Sequence, residues 1–283
     1  MATLFILITL PPGTLKAEAS GKVIWEAESD YQYARVIEAS DGERRLELNE
    51  GQAIHSLYRP GSYLTDGYWD DMLALSLSGA KRERVAILGS AAGTTARAIG
   101  HYSPDTHIDA VEIDGKVTEA GKKFFDFQAP NLSTHAADAR PWLHGSKGDF
   151  DSILVDAYRQ PYIPFYLTTQ EFFSLAKDKL AEGGVLAINV GHPASSDKLE
   201  KTLTATLASV FGRDNVLRDP VDDTNTMLIA GKPSFDAMPD GLTSLGASVN
   251  ARLAPGLRGG DIYTDDWAPV EWLVDLSLAA EAK

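Results

Sequence analysis

The sequence predicts an α/β protein, a doubly wound and mostly parallel sheet with a small antiparallel β unit in front of it. Three observations predict this. From Arg84 onward short apolar runs alternate with helical stretches, the pattern of parallel strands joined by right-handed crossovers. Between residues 22 and 58 apolar and polar residues instead alternate with period two. Third, Val85-Ala86-Ile87-Leu88 runs into the small residues Gly89-Ser90-Ala91-Ala92-Gly93. A helix begins there, and ~20 residues on a second apolar run ends in Val111-Glu112-Ile113-Asp114, as in a nucleoside-binding βαβ unit.

Taken in order, residues 4–10 are apolar and end in Pro11-Pro12. They are too short to span a bilayer, which needs roughly 20 residues, and they lack the basic start and cleavage site of a secretory signal. Residues 1–21 are therefore expected to form an arm that packs on another subunit, or to be the scar of a longer membrane segment. Residues 22–62 read as the small β unit, with strands at 22–26, 31–37, 45–48 and 53–57. Ser40-Asp41-Gly42 gives a hairpin signal between the second and third. Arg59-Pro60-Gly61 breaks the unit, and a helix is expected over 68–77. Within the main domain, residues 63–283, strands are expected at 85–88, 108–112, 133–136, 152–156 and 185–190. Helices fall between them, for example over 92–101 and 115–125. Strands at 216–217 and 226–230 close a seven-stranded sheet. One amphipathic helix follows Lys232, and then the tail of residues 263–272.

A chain of 283 residues can bury a sizeable core, and one large domain with a small appendage is the natural count. The net charge of −14, with no Lys/Arg cluster, argues against nucleic acid; it either favours cationic ligands such as polyamines or a sulfonium compound, or serves solubility alone. The chain has no cysteine, so thiolate chemistry is excluded. Its six histidines follow no metal-ligand spacing, and no metal is expected.

In open α/β sheets ligands sit at the carboxyl ends of the strands. Three successive strands deliver an acid there: Glu112, Asp138 (before Ala139) and Asp156. Glu112 suits a ribose diol, Asp138 an adenine amino group, and Asp156 a cation or a proton. Any one of them alone reads more readily as a helix cap. Three in register with a small-residue loop favour ligand binding. The loop is not G-x-G-x-x-G and lacks the Lys-Ser/Thr of a P-loop, so a nucleoside without phosphates, such as adenosine attached to methionine, fits better than a dinucleotide.

Four segments together resemble the polyamine aminopropyltransferase (spermidine synthase) family. They are Tyr31-Gln32, the 89–93 loop with Val111-Glu112-Ile113-Asp114, Asp138-Ala139, and Asp156 followed by Pro164-Phe165-Tyr166-Leu167-Thr168-Thr169-Gln170-Glu171-Phe172-Phe173. The resemblance covers roughly residues 22–231, including the small β unit that ordinary methyltransferases lack. The closing Thr264-Asp265-Asp266-Trp267-Ala268-Pro269-Val270-Glu271 resembles the end of a bacterial branch often fused to membrane segments. The fold implied is a Rossmann-like, S-adenosylmethionine-dependent methyltransferase-type seven-stranded sheet. The reaction implied moves an aminopropyl group from decarboxylated S-adenosylmethionine to a small amine, leaving methylthioadenosine. By the resemblance Asp156 accepts the amine proton, Glu112 and Asp138 hold ribose and adenine, and Gln32, Gly89, Gly93 and Ala139 complete the donor site. Tyr68 and Tyr158 border the acceptor. A cytoplasmic homodimer or homotetramer is expected, with membrane contact only through a longer native N-terminus.

The departures from the family all touch amine recognition. Ala92 stands where the family carries an Asp, Trp69 where a His follows the tyrosine, and Arg159 near the place of a second acid. Each lost carboxylate removes a charge-assisted hydrogen bond of about 1.5–3 kcal/mol. Asp70, Asp71, Asp265 and Asp266 are candidates to replace them, or else are surface charges and helix caps. Alternatively Arg159 pairs with the carboxylate of intact S-adenosylmethionine, giving methyl or aminocarboxypropyl transfer, or else it points to solvent. A nucleoside-binding homologue without catalysis is the third reading.

Overall fold

The computed structural model describes residues 21–49, 53–79, 81–159, 162–192, 196–222, 224–273 and 275, so the arm expected over 1–21 lies almost wholly outside the described residues. In chain order the strands are β1 (Lys22–Glu28), β2 (Tyr33–Glu38), β3 (Arg44–Leu48), β4 (Ile54–Tyr58), β5 (Arg84–Leu88), β6 (His107–Glu112), β7 (Leu132–Ala136), β8 (Phe150–Val155), β9 (Leu180–Gly191), β10 (Val216–Pro220), β11 (Asn225–Ala230) and β12 (Ala254–Pro255). The α-helices are α1 (Tyr68–Ser76), α2 (Thr94–Tyr102), α3 (Gly115–Phe124), α4 (Ala139–Gly145), α5 (Gln170–Lys179), α6 (Lys198–Phe211) and α7 (Thr243–Arg252).

The first four strands form an antiparallel sheet in sequence order. Their alternation places Ala34, Val36, Leu46 and Leu48 on one face, where Ala34 pairs with Leu48 and Val36 with Leu46. The hairpin between β2 and β3 turns where the sequence signals it, with Gly42 at φ +86 and its N–H donating to the Ala39 carbonyl at 3.0 Å. The apolar face packs on Ala92, Val117, Ala120 and Phe125. The small unit is thereby fixed against the loop that follows β5.

The main sheet has the order β12-β10-β11-β9-β8-β5-β6-β7. Strands β5 to β9 run parallel, β11 lies antiparallel beside β9, and β10, antiparallel to β11, takes the direction of β5–β9 again. Along β5 the side chains alternate between two cores: Val85 and Ile87 join the layer of α1, α2 and α7, and Ala86 and Leu88 the layer of α4, α5 and α6. Burial on both faces is why these strands read as unbroken apolar runs. The strand order reverses at β5, flanked by β6 on one side and β8 on the other, which opens the ligand crevice at their carboxyl ends.

The seven expected strands are present, and the sheet gains an eighth. β12 is a two-residue strip paired with β10 through Leu217 and Arg218, too short to leave a periodic signal. α2 starts two residues later than its pattern because Gly93, at φ +90, is its N-cap. Gln32 lies before β2 rather than inside the strand expected over 31–37. Among the described residues no helix is long and apolar enough to cross a membrane.

Candidate active site

Backbone geometry at the end of β5 leaves no room for a side chain at two positions. Gly89 sits at φ +89, and a Cβ there would lie 2.5 Å from the Asp156 carbonyl oxygen. At Gly93 a Cβ would lie 2.1 Å from the Phe127 ring. Both positions require glycine, which alone adopts such φ values without strain. Between them Ala91 is held at φ +44, and its N–H donates to Glu112 Oε2 at 2.9 Å. The other oxygen of Glu112 accepts the Asp114 N–H at 3.1 Å. Glu112 thus ties the loop to the end of β6, buried so deeply that desolvation pushes its carboxyl up to about 7 against the pull of those N–H groups. Gln32 approaches from the small sheet, donating through Nε2 to Asp114 Oδ2 at 3.5 Å beside the shorter 2.6 Å bond from Ser29.

Asp138 caps α4, with Oδ1 accepting the Arg140 N–H at 3.0 Å and Oδ2 the Tyr166 hydroxyl at 3.0 Å. Ala139 follows, buried in the core beneath. Arg140 donates to the Tyr166 carbonyl at 3.0 Å and bidentately to Asp265 at 2.8 and 2.7 Å. Asp138, Arg140 and Tyr166 line an open groove of about 540 Å³ with Pro141, His144, Glu171 and Leu175.

Asp156, just past β8, anchors the other side of the crevice. Its Oδ2 accepts the Tyr68 hydroxyl at 3.1 Å and its Oδ1 accepts Asn189 Nδ2 at 2.8 Å. The residue is only half-buried as a whole, yet its carboxyl is enclosed enough that desolvation raises it from 3.8 to about 7. The two hydrogen bonds oppose that rise, and the nearby charge of Glu112 adds to it. Burial and the Asp156 charge in turn push the Tyr68 hydroxyl well above its ordinary range, so it stays protonated and donates.

Three of the four residues offered as replacement acids are otherwise engaged. Asp70 accepts the Thr65 and Asp66 N–H groups and the Thr65 hydroxyl, closing the turn before α1. Asp71 accepts Arg252, which also pairs with the buried Asp219, and desolvation with that second charge lifts Asp71 to about 6. Asp265, expected at the acceptor, has both oxygens on Arg140, and Thr169 donates to one of them at 2.7 Å. Its place in this fold is at the Asp138 corner. Asp266 is exposed. Arg159 is exposed too and exchanges two backbone hydrogen bonds with Tyr162. Tyr158 donates to the Asn189 carbonyl at 2.9 Å and accepts the Gly191 N–H at 2.6 Å, so its hydroxyl staples the end of β9.

Asn189 and Tyr166 are site residues that the sequence does not single out. Asn189 is the polar interruption in the apolar run of β9, a signal legible as a strand-end residue but carrying no role by itself. Tyr166 lies inside a motif notable for its resemblance alone.

Ala92 is fully buried in the apolar cluster shared with the small sheet, and its N–H donates to Ser56 Oγ at 2.9 Å. The missing family acid is therefore accompanied by apolar packing. Ala92→Asp is expected to destabilise the protein by about 2 kcal/mol or more, as burial of an unpaired carboxylate does. Urea unfolding checks this, and unchanged stability would show that the position opens to the crevice.

The family described as spermine/spermidine synthase domain matches residues 67–217, more than half of the chain. The chain belongs to this family. A protein of Bifidobacterium longum named "Probable polyamine aminopropyl transferase" is 32% identical over 91% of this chain and 64% of its own length. A polyamine aminopropyltransferase of Vibrio vulnificus is 36% identical over 56% of this chain and 53% of its own. The chain thus spans about half to two thirds of these relatives. A crystal structure described as a probable spermidine synthase from Corynebacterium glutamicum superposes with a TM-score of 0.65 at 21% identity, covering 90% of this chain and 95% of that one, which shares the fold.

Proposed function

We propose that this protein transfers an aminopropyl group from decarboxylated S-adenosylmethionine to a small amine, with Asp156 as the base. The observation that carries the reading is the Asp156 carboxylate, held between Tyr68 and Asn189 and raised to about 7, across the same crevice as Glu112. A base acts best when its pKa lies near the working pH. Asp156 takes a proton from the acceptor's ammonium. The freed nitrogen lone pair forms a bond to the propyl carbon next to sulfur, the carbon–sulfur bond breaks, and methylthioadenosine leaves neutral. The sulfonium is already an activated leaving group, so the protein's part is alignment and proton removal.

The donor's parts match the chain's groups. The close approach at Gly89, where a Cβ would meet the Asp156 carbonyl oxygen, sets the loop after β5 directly beside the end of β8, so the loop and Asp156 border one crevice. The Glu112 oxygens accept backbone N–H groups, among them those of Ala91 and Asp114, and the carboxylate keeps acceptor capacity for the ribose diol. Asp138, fixed by Tyr166 and by its own capping bond, faces the adenine amino group. Family membership supports the reaction class, as do the names of the relatives.

Calorimetric titration with decarboxylated S-adenosylmethionine, the intact compound and methylthioadenosine tests the reading. The decarboxylated donor is expected to bind at least about tenfold more tightly than the intact one, a difference of about 1.4 kcal/mol. A smaller preference would replace this reading with a transferase using the intact donor. Product analysis against a panel of amines separates a catalyst from a binder.

A further inference from the structure

Behind the carboxylate of Asp156 stands a chain of amides that reaches the far strands of the sheet. Asn189, on β9 and nearly fully buried, donates through Nδ2 to Asp156 Oδ1 at 2.8 Å. Its own Oδ1 accepts Nδ2 of Asn225, the first residue of β11, at 2.9 Å. Asn225 is anchored in turn, its N–H donating to Asp222 Oδ1 at 2.8 Å in the turn before the strand. The Asn189 backbone is pinned independently, since its carbonyl accepts the Tyr158 hydroxyl.

We infer that Asn189 is a positioning residue for the transfer reaction, and that Asn225 keeps it facing the right way. The inference rests on the reading of Asp156 as the base. With Asn189 donating to Oδ1 at 2.8 Å and Tyr68 to Oδ2 at 3.1 Å, the rotation of the carboxylate is fixed, and each oxygen keeps a lone pair. Oδ2, which carries the longer of the two bonds, is then the oxygen assigned to the amine proton. An asparagine amide has two ends of nearly equal shape, and a flipped Asn189 would aim its own oxygen at Asp156, where two acceptors repel. The donor of Asn225 excludes the flip, because a flipped Asn189 would meet it with a second NH₂ group. One orientation satisfies the whole row, and Asn225 adds to the preference that Asp156 already sets. Such a row is worth more than its separate bonds in a low-dielectric site.

The other titratable groups facing the carboxylate are Glu112 at the end of β6, Tyr68 on α1 and Tyr158 in the segment after β8. None of them is altered when the amides are replaced. Desolvation lifts the Asp156 carboxyl and Asn189 holds it down, which gives the inference a readout independent of turnover.

The test is a carbon-13 NMR titration of the full chain with labelled aspartate carboxyls, the Asp156 signal being identified by its loss in Asp156→Asn. Asn189→Leu is expected to raise the Asp156 midpoint by about one pKa unit, since a donor to the charged form has gone. Asn225→Leu is expected to raise it by a smaller amount in the same direction, without touching Asp156 itself. In the transfer assay both variants should lose kcat and shift the acid limb upward while the KM for the donor stays near the parent value. A folded Asn225→Leu with an unmoved Asp156 midpoint overturns the role of Asn225, and an unmoved midpoint in Asn189→Leu overturns the whole inference. If Asn189→Leu does not fold, Asn225→Leu alone decides. Should the parent protein transfer no aminopropyl group, the functional reading fails, and the titration still judges the amide chain on its own.

Discussion

Asp156→Asn is expected to cut aminopropyl transfer by about 10²–10⁴-fold, to leave methylthioadenosine binding little changed, and to raise the thermal midpoint above pH 7. The three effects share one cause. The carboxyl titrates near 7 in the folded protein against an ordinary 3.8, so the folded state holds its proton more firmly than the unfolded chain. Below pH about 4 the group is protonated in both states and costs nothing. As pH rises through 7 the folded state must carry a desolvated charge, and stability is lost over that interval. Asparagine removes the charge while keeping the geometry, its oxygen accepting from Asn189 and its amide donating to the Tyr68 oxygen. The gain above pH 7 is on the order of 1–3 kcal/mol, less than the full shift implies because the residue is partly open to solvent. It amounts to several degrees at about 2–4 °C per kcal/mol. Thermal melts at pH 4 and pH 8 measure it, and equal midpoints for parent and variant at pH 8 would sink the assignment of a strained base. Retained turnover would remove Asp156 from the chemistry.

Much of this site is legible in the sequence because its parts are local. The turn after β5 is written in Gly89 and Gly93, whose φ values only glycine takes readily, and the acids Glu112, Asp138 and Asp156 stand directly at strand ends. What the sequence does not disclose is pairing across distance. Asp265 reads as a free carboxylate until the fold brings it to Arg140, 125 residues away. Asp71 reads as a surface charge of α1 until Arg252, 181 residues on, closes over it. Asn189 acquires its meaning only when β9 lies beside β8 and meets β11. In the same way β12 exists because β10 offers it an edge, not because two residues carry a propensity. Periodicity reports which face a residue occupies. It is silent on which partner waits there.

Gly89→Ala is the second large effect expected, and it strikes where the strand carrying the base meets the strand carrying the loop. The Gly89 N–H donates to the Val111 carbonyl at 2.9 Å, while the Asp156 N–H donates to the Leu88 carbonyl at 2.8 Å. A methyl at position 89 would stand 2.5 Å from the Asp156 carbonyl oxygen and 2.6 Å from the Ala157 Cα, both backbone atoms that cannot swing aside. The left-handed φ of +89 adds about 1–2 kcal/mol of strain for any residue with a Cβ. With the overpacking, a loss of about 3 kcal/mol or more is expected on urea unfolding. Gly61 separates the two contributions. It has a φ of +75, but a methyl placed there would meet nothing within 4 Å, so Gly61→Ala should show the strain alone, about 1 kcal/mol. Equal costs at the two positions would mean that β5 and β8 can part freely, and the close approach would not constrain the site. The kinetic signature also differs from that of Asp156→Asn. Prying these strands apart moves the base and the Glu112-tethered loop together, so Gly89→Ala should weaken methylthioadenosine binding as well as turnover, whereas the isosteric change at Asp156 touches turnover alone.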